Sequence, residues 1–206
     1  MIFDPTEKPF SEIHKLMIGS IVPRPIALVS TTSKDGNNNV APFSYFNGVC
    51  SNPPTIMFAP ARRGWDGHEK DTLINIRNNQ EFVINIVSES FAEKMVKCST
   101  DFDPNIDEFQ VSGLTPESSS KVLPPKVKES KINLECKLDQ IVEIGDGKAG
   151  SGFVVLGTIV LFHIDDDIYE DGHILLDKLE PLGRLAGNWY TRPTDNLKIT
   201  RQVKPK

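Results

Sequence analysis

Four short segments in the first half of the chain carry residues suited to holding a ligand. They are Ser30-Thr31-Thr32; Ala41-Pro42-Phe43-Ser44 with Asn47; Arg62-Arg63; and Lys70-Asp71-Thr72. Cations and a hydroxyl beside a helix start suit a phosphate, because free amides and the helix dipole add to the charge attraction. Neutral hydroxyls, amides and backbone groups suit a planar heterocycle with alternating donors and acceptors. Several other chemistries have no motif. The one GxGxxG, Gly145 to Gly150, lies in a glycine-rich hairpin connection between two strands and opens no helix, and there is no GxxxxGK[ST] loop and no GxSxG elbow. His14, His68, His163 and His173 show no metal-ligand spacing. The one carboxylate run, Asp165-Asp166-Asp167, reads as a solvated turn. No nucleophile or general acid/base pair stands out. Each segment alone could be an ordinary polar loop, and it is the four together, in this order, that point to one site.

Those segments need strands whose ends converge. In "PIALVSTTSKDGNNNVAPFS", Ile26, Leu28 and Ser30 fall on one face and Ala27, Val29 and Thr31 on the other, which predicts a strand buried on both sides. Asp35-Gly36 supplies a turn, and "NNVAPFSYF" returns as a second strand. "NGVCSN", carrying Asn47, Ser51 and Asn52, reads as an irregular polar link into the strand "TIMFAP", which is bounded by Pro53-Pro54 and Pro60. "GHEKDTLINIRNNQ" predicts a short amphipathic helix starting near Asp71 or Thr72, with Leu73, Ile76 and Ile74 as its apolar residues. "EFVINIV" is again a strand. "SESFAEKMVKCST" is helical, with Ser90 and Glu93 as a capping box. Residues 100 to 125 form a long excursion with one short helix. "KINLECKLDQIVEI" and "SGFVVLGTIVLFHID" are two long strands about a glycine-rich turn, and "GHILLDKLEPLGRLAGNWY" is a short strand and a glycine-punctuated segment. Roughly six strands with sparse helices predict a mainly β protein, an antiparallel barrel with helical insertions.

Composition narrows the setting. The chain has 206 residues, 38% hydrophobic and 25% charged, which predicts one domain spanning 1–206. A net charge of -5 argues against a nucleic-acid binder. Lys198, Arg201, Lys204 and Lys206 read as a solvated tail. Cys50, Cys98 and Cys136 are odd in number and widely spaced, which fits free thiols in a reducing compartment. "MIFDPTEKPF" is not a signal peptide, and no run approaches the roughly 18 apolar residues of a membrane span. The expectation is a cytoplasmic protein without a membrane segment.

"PRPIALVSTTSKDGNNNVAPFSYFNGVCSNPPTIMF", "KDTLINIRNNQEFVINIVSE" and "LEPLGRLAGNWY" resemble the flavin reductase-like family, of the flavoredoxin and nitrilotriacetate monooxygenase component B type. The resemblance covers about residues 10–192. It implies an FMN-binding antiparallel split β-barrel. By analogy Ser30, Thr31 and Thr32 would meet the isoalloxazine, mostly through backbone groups. Ala41, Pro42, Phe43 and Ser44 would flank the ring and ribityl chain, with Asn47 toward the phosphate side. Lys70, Asp71 and Thr72, helped by Arg62 or Arg63, would hold the phosphate. Arg24 would lie near the site, pairing with a carboxylate being the alternative. The family pairs its barrels, so a homodimer is expected, with Arg184 and Tyr190 completing the site from the partner chain.

The resemblance also explains the missing catalytic constellation, because hydride and electron chemistry would belong to the flavin. It implies an NAD(P)H:flavin oxidoreductase using NADH or NADPH and supplying reduced flavin or electrons to a flavin-dependent monooxygenase or redox protein. The competing reading is a non-enzymatic FMN electron carrier fed by a protein donor. A third is a flavin-free structural barrel.

Overall fold

The computed structural model describes residues 1–103, 106–200 and 202. Of the basic tail, Arg201, Lys204 and Lys206 lie outside the described residues, and Lys198 is exposed. Helix α1 (Phe10–Ser20) leads into β1 (Ala27–Thr32), β2 (Asn38–Phe43), β3 (Phe46–Ser51) and β4 (Pro54–Phe58). Helix α2 (Asp71–Asn79), β5 (Glu81–Ile86), α3 (Ala92–Lys97) and α4 (Glu108–Ser112) follow. A small ribbon of β6 (Pro116–Glu117) and β7 (Lys126–Val127) precedes the long hairpin of β8 (Ile132–Ile144) and β9 (Gly152–Ile164). The chain closes with β10 (Tyr169–Glu170), β11 (His173–Ile174), α5 (Leu176–Leu179), β12 (Gly183–Arg184) and β13 (Tyr190–Thr191).

The main sheet is antiparallel, in the order β2-β1-β5-β8-β9-β4-β3. Its two edges are consecutive in sequence, so the sheet curls into a split β-barrel with a seam at Ser44–Tyr45. β1 is interior, between β2 and β5, and every one of its residues is buried. Its two faces enter different cores, as the doubly apolar pattern predicts. Ala27 and Val29 join Phe43, Phe58, Phe82, Ile84, Cys136, Phe153 and Val155 inside the barrel, where α2 adds Leu73 and Ile76. Leu28 joins Val40, Phe91, Met95, Phe109 and Val127 beneath α3, α4 and the 100–125 excursion. Phe58 and Phe82 are fully buried and meet edge to face at 5.6 Å. Each such ring contributes roughly 1.5–3 kcal/mol of burial. Gly157 makes room for this packing, because a Cβ there would lie 2.4 Å from Phe82 Cζ.

The turn at Gly36 (φ 86°) and the helix starting at Asp71 match the sequence expectation. Pro42 is tolerated in β2 because that strand is an edge. Two expectations fail. The link through Asn47 and Ser51 is a strand, β3, paired to β4 and exposed at every residue but Phe46. Ser90 and Glu93 form no capping box. A 3-10 turn, Glu89–Phe91, precedes α3 and moves its N-cap to Phe91, which makes no side-chain cap bond.

Candidate functional site

A cleft opens beside the seam, where the ends of β2, the start of α2 and the segment after α3 meet. It is lined by Asn39, Ala41, Pro42, Phe43, Arg63, Lys70, Asp71, Thr72, the run Cys98–Phe102, and Glu108. A second hollow shares Pro42, Phe43 and Ser99 with it and adds Ile26, Ser44, Met95, Arg184 and Tyr190. The structure therefore brings ten of the expected residues into one continuous depression: Ala41, Pro42, Phe43, Ser44, Arg63, Lys70, Asp71, Thr72, Arg184 and Tyr190. Arg184 and Tyr190 reach it within the same chain, paired across β12–β13, with the guanidinium 4.5 Å over the Tyr190 ring.

The other expected residues line neither hollow. Ser30 Oγ donates to Pro125 O at 2.5 Å and pins the excursion. Thr32 Oγ1 donates to Asn38 Oδ1 at 3.2 Å. Thr31 sits one layer behind the wall, donating to Asn39 Oδ1 at 3.3 Å and accepting from Asn75 Nδ2 at 3.1 Å. Asn47 Oδ1 accepts from the neighbouring Gly48 N–H on β3. Arg62 turns away from the cleft. It donates to Glu143 at 2.7 Å and lies 4.9 Å over the Phe153 ring.

Arg24 is a structural clamp. It is buried and pairs with no carboxylate among the described residues. Its nitrogens donate to Ile18 O (2.8 Å), Ile21 O (2.6 Å), Leu185 O (3.0 Å) and Ser44 Oγ (3.3 Å). It thereby ties the end of α1 and the segment after β12 to the site's rim.

The anion-suited end has an identifiable donor set. In the first turn of α2, Leu73 and Ile74 donate to Lys70 O, and Lys70 makes no side-chain cap bond. The Asp71 and Thr72 N–H groups have no acceptor among the described residues and are the orphan donors of a helix start. Arg63 Nη2 donates to Asp71 at 2.9 Å, while its buried Nε has no partner among the described residues. Lys70 Nζ donates to Asp101 Oδ1 at 2.9 Å, and Trp65 Nε1 to Asp101 Oδ2 at 3.4 Å.

Behind these lies a network that sequence reasoning missed. Asn39 Oδ1 accepts from Thr72 Oγ1 at 2.8 Å, and Asn39 Nδ2 donates to Glu108 Oε1 at 2.6 Å. Glu108 is buried, and its Oε2 has no partner among the described residues. Burial, reinforced by nearby Asp71, pushes its carboxyl up from 4.5 to about 7, against hydrogen bonds that favour the charged form. Burial also pushes the Cys98 thiol up to about 11. Asn39 and Glu108 are 69 residues apart, and no local pattern links them.

The fold is a split β-barrel whose seam carries a cleft lined by Arg63, Lys70, the helix-start residues Asp71 and Thr72, and hydroxyl side chains. Residues 18–182 match the flavin reductase like domain, and the chain belongs to that family. Among solved structures it is similar to nitrilotriacetate monooxygenase component B from Bacillus cereus, at 34% identity and TM-score 0.92 over 97% of this chain and 98% of that one. It is also similar to a 2-nitrobenzoate 2-nitroreductase of Pseudomonas fluorescens, at 31% identity and TM-score 0.87 over 98% and 97%. Flavoredoxin of Desulfovibrio vulgaris (Miyazaki F) aligns at 25% identity and TM-score 0.72 over 87% and 91%. Among the described residues, no helix is long and apolar enough to cross a membrane.

Proposed function

We propose that residues 1–206 form one flavin reductase-like unit that binds FMN in this depression and works as an oxidoreductase, accepting hydride from NADH or NADPH and delivering reduced flavin or electrons to a partner. The observation that carries the reading is the union of two chemistries in one depression. Cations and orphan helix amides (Arg63, Lys70, Asp71, Thr72) stand at one end, and Pro42, Phe43 and Tyr190 offer apolar faces along the other. The donor set fits a phosphate monoester: backbone N–H groups, an ammonium and a guanidinium with an unpartnered buried Nε. Arg63, Lys70 and the first turn of α2 would hold the phosphate. Pro42, Phe43 and Ser44 would flank the ring and ribityl chain, with Arg184 and Tyr190 closing the far side. Bound FMN would supply the hydride-accepting and electron-donating chemistry. The protein's part is to bind it, orient it and keep one face open. The network from Asn39 to Thr72 and Glu108 stiffens the wall behind the phosphate end.

Likeness to a monooxygenase component supports a flavin-dependent monooxygenase or other redox protein as the acceptor. The free cysteines support a cytoplasmic setting. A homodimer fits the exposed apolar surface of α1 and the aromatic Trp189, which is 75% exposed. Sedimentation at micromolar concentration, with and without FMN, tests the dimer, and a monomer with full FMN affinity would reject its role in the site. Likeness to flavoredoxin favours a second reading, an FMN electron carrier fed by a protein donor. FMN and riboflavin titrations followed by steady-state NADH and NADPH oxidation decide between them. Turnover supports the reductase, and tight FMN without turnover supports the carrier. Absence of flavin absorbance near ~450 nm together with no binding of added FMN would reject both.

A further inference from the structure

The cations that would receive a phosphate are already answered by carboxylates. Arg63 is paired with Asp71 at 2.9 Å, and Lys70 with Asp101 at 2.9 Å. Glu108, the remaining carboxyl in the wall, is pushed up to about 7 by its burial, so it carries part of a negative charge at neutral pH. The two cations are therefore already matched by two carboxylates at this end of the cleft, and an incoming phosphate dianion meets no net positive side-chain charge, only the helix-start amides.

The two ion pairs differ in how replaceable they are. Asp71 belongs to the first turn of α2, where a carboxylate is favoured by the helix dipole, and its side chain is 21% exposed. Asp101 lies beyond α3, on the segment Cys98–Phe102 that forms the opposite wall, and its side chain is 36% exposed. Its two oxygens are spread over two donors from other elements, Lys70 Nζ and Trp65 Nε1. Burial alone would raise the Asp101 carboxyl, but the hydrogen bond and charge of Lys70, the Trp65 N–H and the charge of Arg63 outweigh it and hold it below its usual range. Asp101 is thus an anion bound by the donors that would serve a phosphate. A pair this exposed is weak and exchanges easily.

We propose that Asp101 is the residue that sets how strongly the site prefers a phosphorylated flavin over an unphosphorylated one: its carboxylate occupies the Lys70 ammonium as an internal anion, and the cofactor's phosphate must take its place there. The proposal rests on the reading of this end of the cleft as the phosphate end. Asp101 moves off Lys70 when FMN binds and stays on it when riboflavin binds, so the cost of displacing it falls on FMN alone.

The test is equilibrium titration of FMN and of riboflavin, followed by flavin fluorescence at low and at high salt. The proteins are the wild type, Asp101→Asn, Asp101→Ser, Lys70→Met and the double variant Asp101→Ser/Lys70→Met. Asn keeps the shape without the charge, and Ser is too short to reach Lys70. Both should bind FMN roughly fivefold or more tightly than the wild type, with riboflavin unchanged and the gain shrinking at high salt. Lys70→Met should weaken FMN alone, and the double variant should show no gain over Lys70→Met. If Lys70→Met weakens FMN but neither Asp101 variant strengthens it, the internal-anion role is overturned and the phosphate reading stands. A gain shared equally by riboflavin also overturns it, because it would mean general loosening of the wall. If the wild type and Lys70→Met bind FMN and riboflavin alike, the phosphate reading falls, and the proposal with it.

Discussion

Replacing Glu108 by Gln should change how stability responds to pH more than how stable the protein is at low pH. Glu108 on α4 is 6% exposed, with one oxygen accepting from Asn39 and the other without a partner. Gln keeps the shape and offers Asn39 the same kind of acceptor. In the wild type the folded carboxyl titrates near 7 and the unfolded one near 4.5. Below about 4.5 both states hold the proton. As pH rises from there to 7 the unfolded chain releases its proton first, so stability is lost across that window and levels off above it. At about 1.4 kcal/mol per pH unit, the loss is about 3 kcal/mol. The Gln side chain does not titrate, so the variant's stability minus the wild type's should climb by about that amount between pH 4.5 and 8. Other titrating groups cancel in the difference. Urea unfolding followed by fluorescence of Trp65 and Trp189 at several pH values measures it. A difference that stays flat from pH 4.5 to 8 would refute the reasoning and show that Glu108 ionises normally in the folded protein.

Further outcomes follow from particular contacts. Gly157→Ala should destabilise by roughly 1–3 kcal/mol, because its Cβ would press on the Phe82 ring from 2.4 Å; the paired variant Gly157→Ala/Phe82→Leu, unfolded in urea, should recover part of the loss. Arg24→Met leaves the carbonyls of Ile18, Ile21 and Leu185 without their donor. It should cost about 3 kcal/mol and speed proteolysis near the end of α1, as read by the mass of the first fragments. A thiol reagent should label Cys50 alone in the native protein and all three cysteines after denaturation, since Cys98 and Cys136 are buried and their thiolates disfavoured.

The interior was the part of the molecule most legible in the sequence. β1, β4, β5 and the β8–β9 hairpin announce themselves by apolar residues facing a core, and Leu73 and Ile76 by their spacing on α2. β3 could not be read that way. It is an exposed edge, held by backbone pairing to β4, and its polar side chains carry no alternating signal. α1 was equally silent, because it buries no residue fully and starts at Pro9 without a side-chain cap. At the site, residue type pointed to the cations but could not say which would face the cleft. Arg62 and Arg63 are neighbours, yet Glu143 and the Phe153 ring draw the first outward while Asp71 keeps the second inside. Asp101 and Glu108 lay in an excursion with no pattern at all. Their roles come from where α3 and α4 pack.

The strand order also has a consequence for how the chain becomes a protein as it is made. The first four strands emerge as two separate hairpins, β1 with β2 and β3 with β4, and β5 then joins only the first. No strand pairing connects the two groups until β8 and β9 arrive between them, with β8 taking β5 and β9 taking β4. A nascent chain that has not yet emitted residues 132–164 therefore holds two half-sheets with open flanks and an exposed apolar interior. The long hairpin is the keystone, and it comes late. Closure brings together strands far apart in sequence, such as β4 with β9, the kind of non-local pairing that generally folds slowly. The cation-bearing end of the cleft is walled by β2, α2 and the segment around α3 and α4, all encoded before the keystone, while Arg184 and Tyr190 at the far end come after it; the hairpin between them supplies none of the residues lining either hollow.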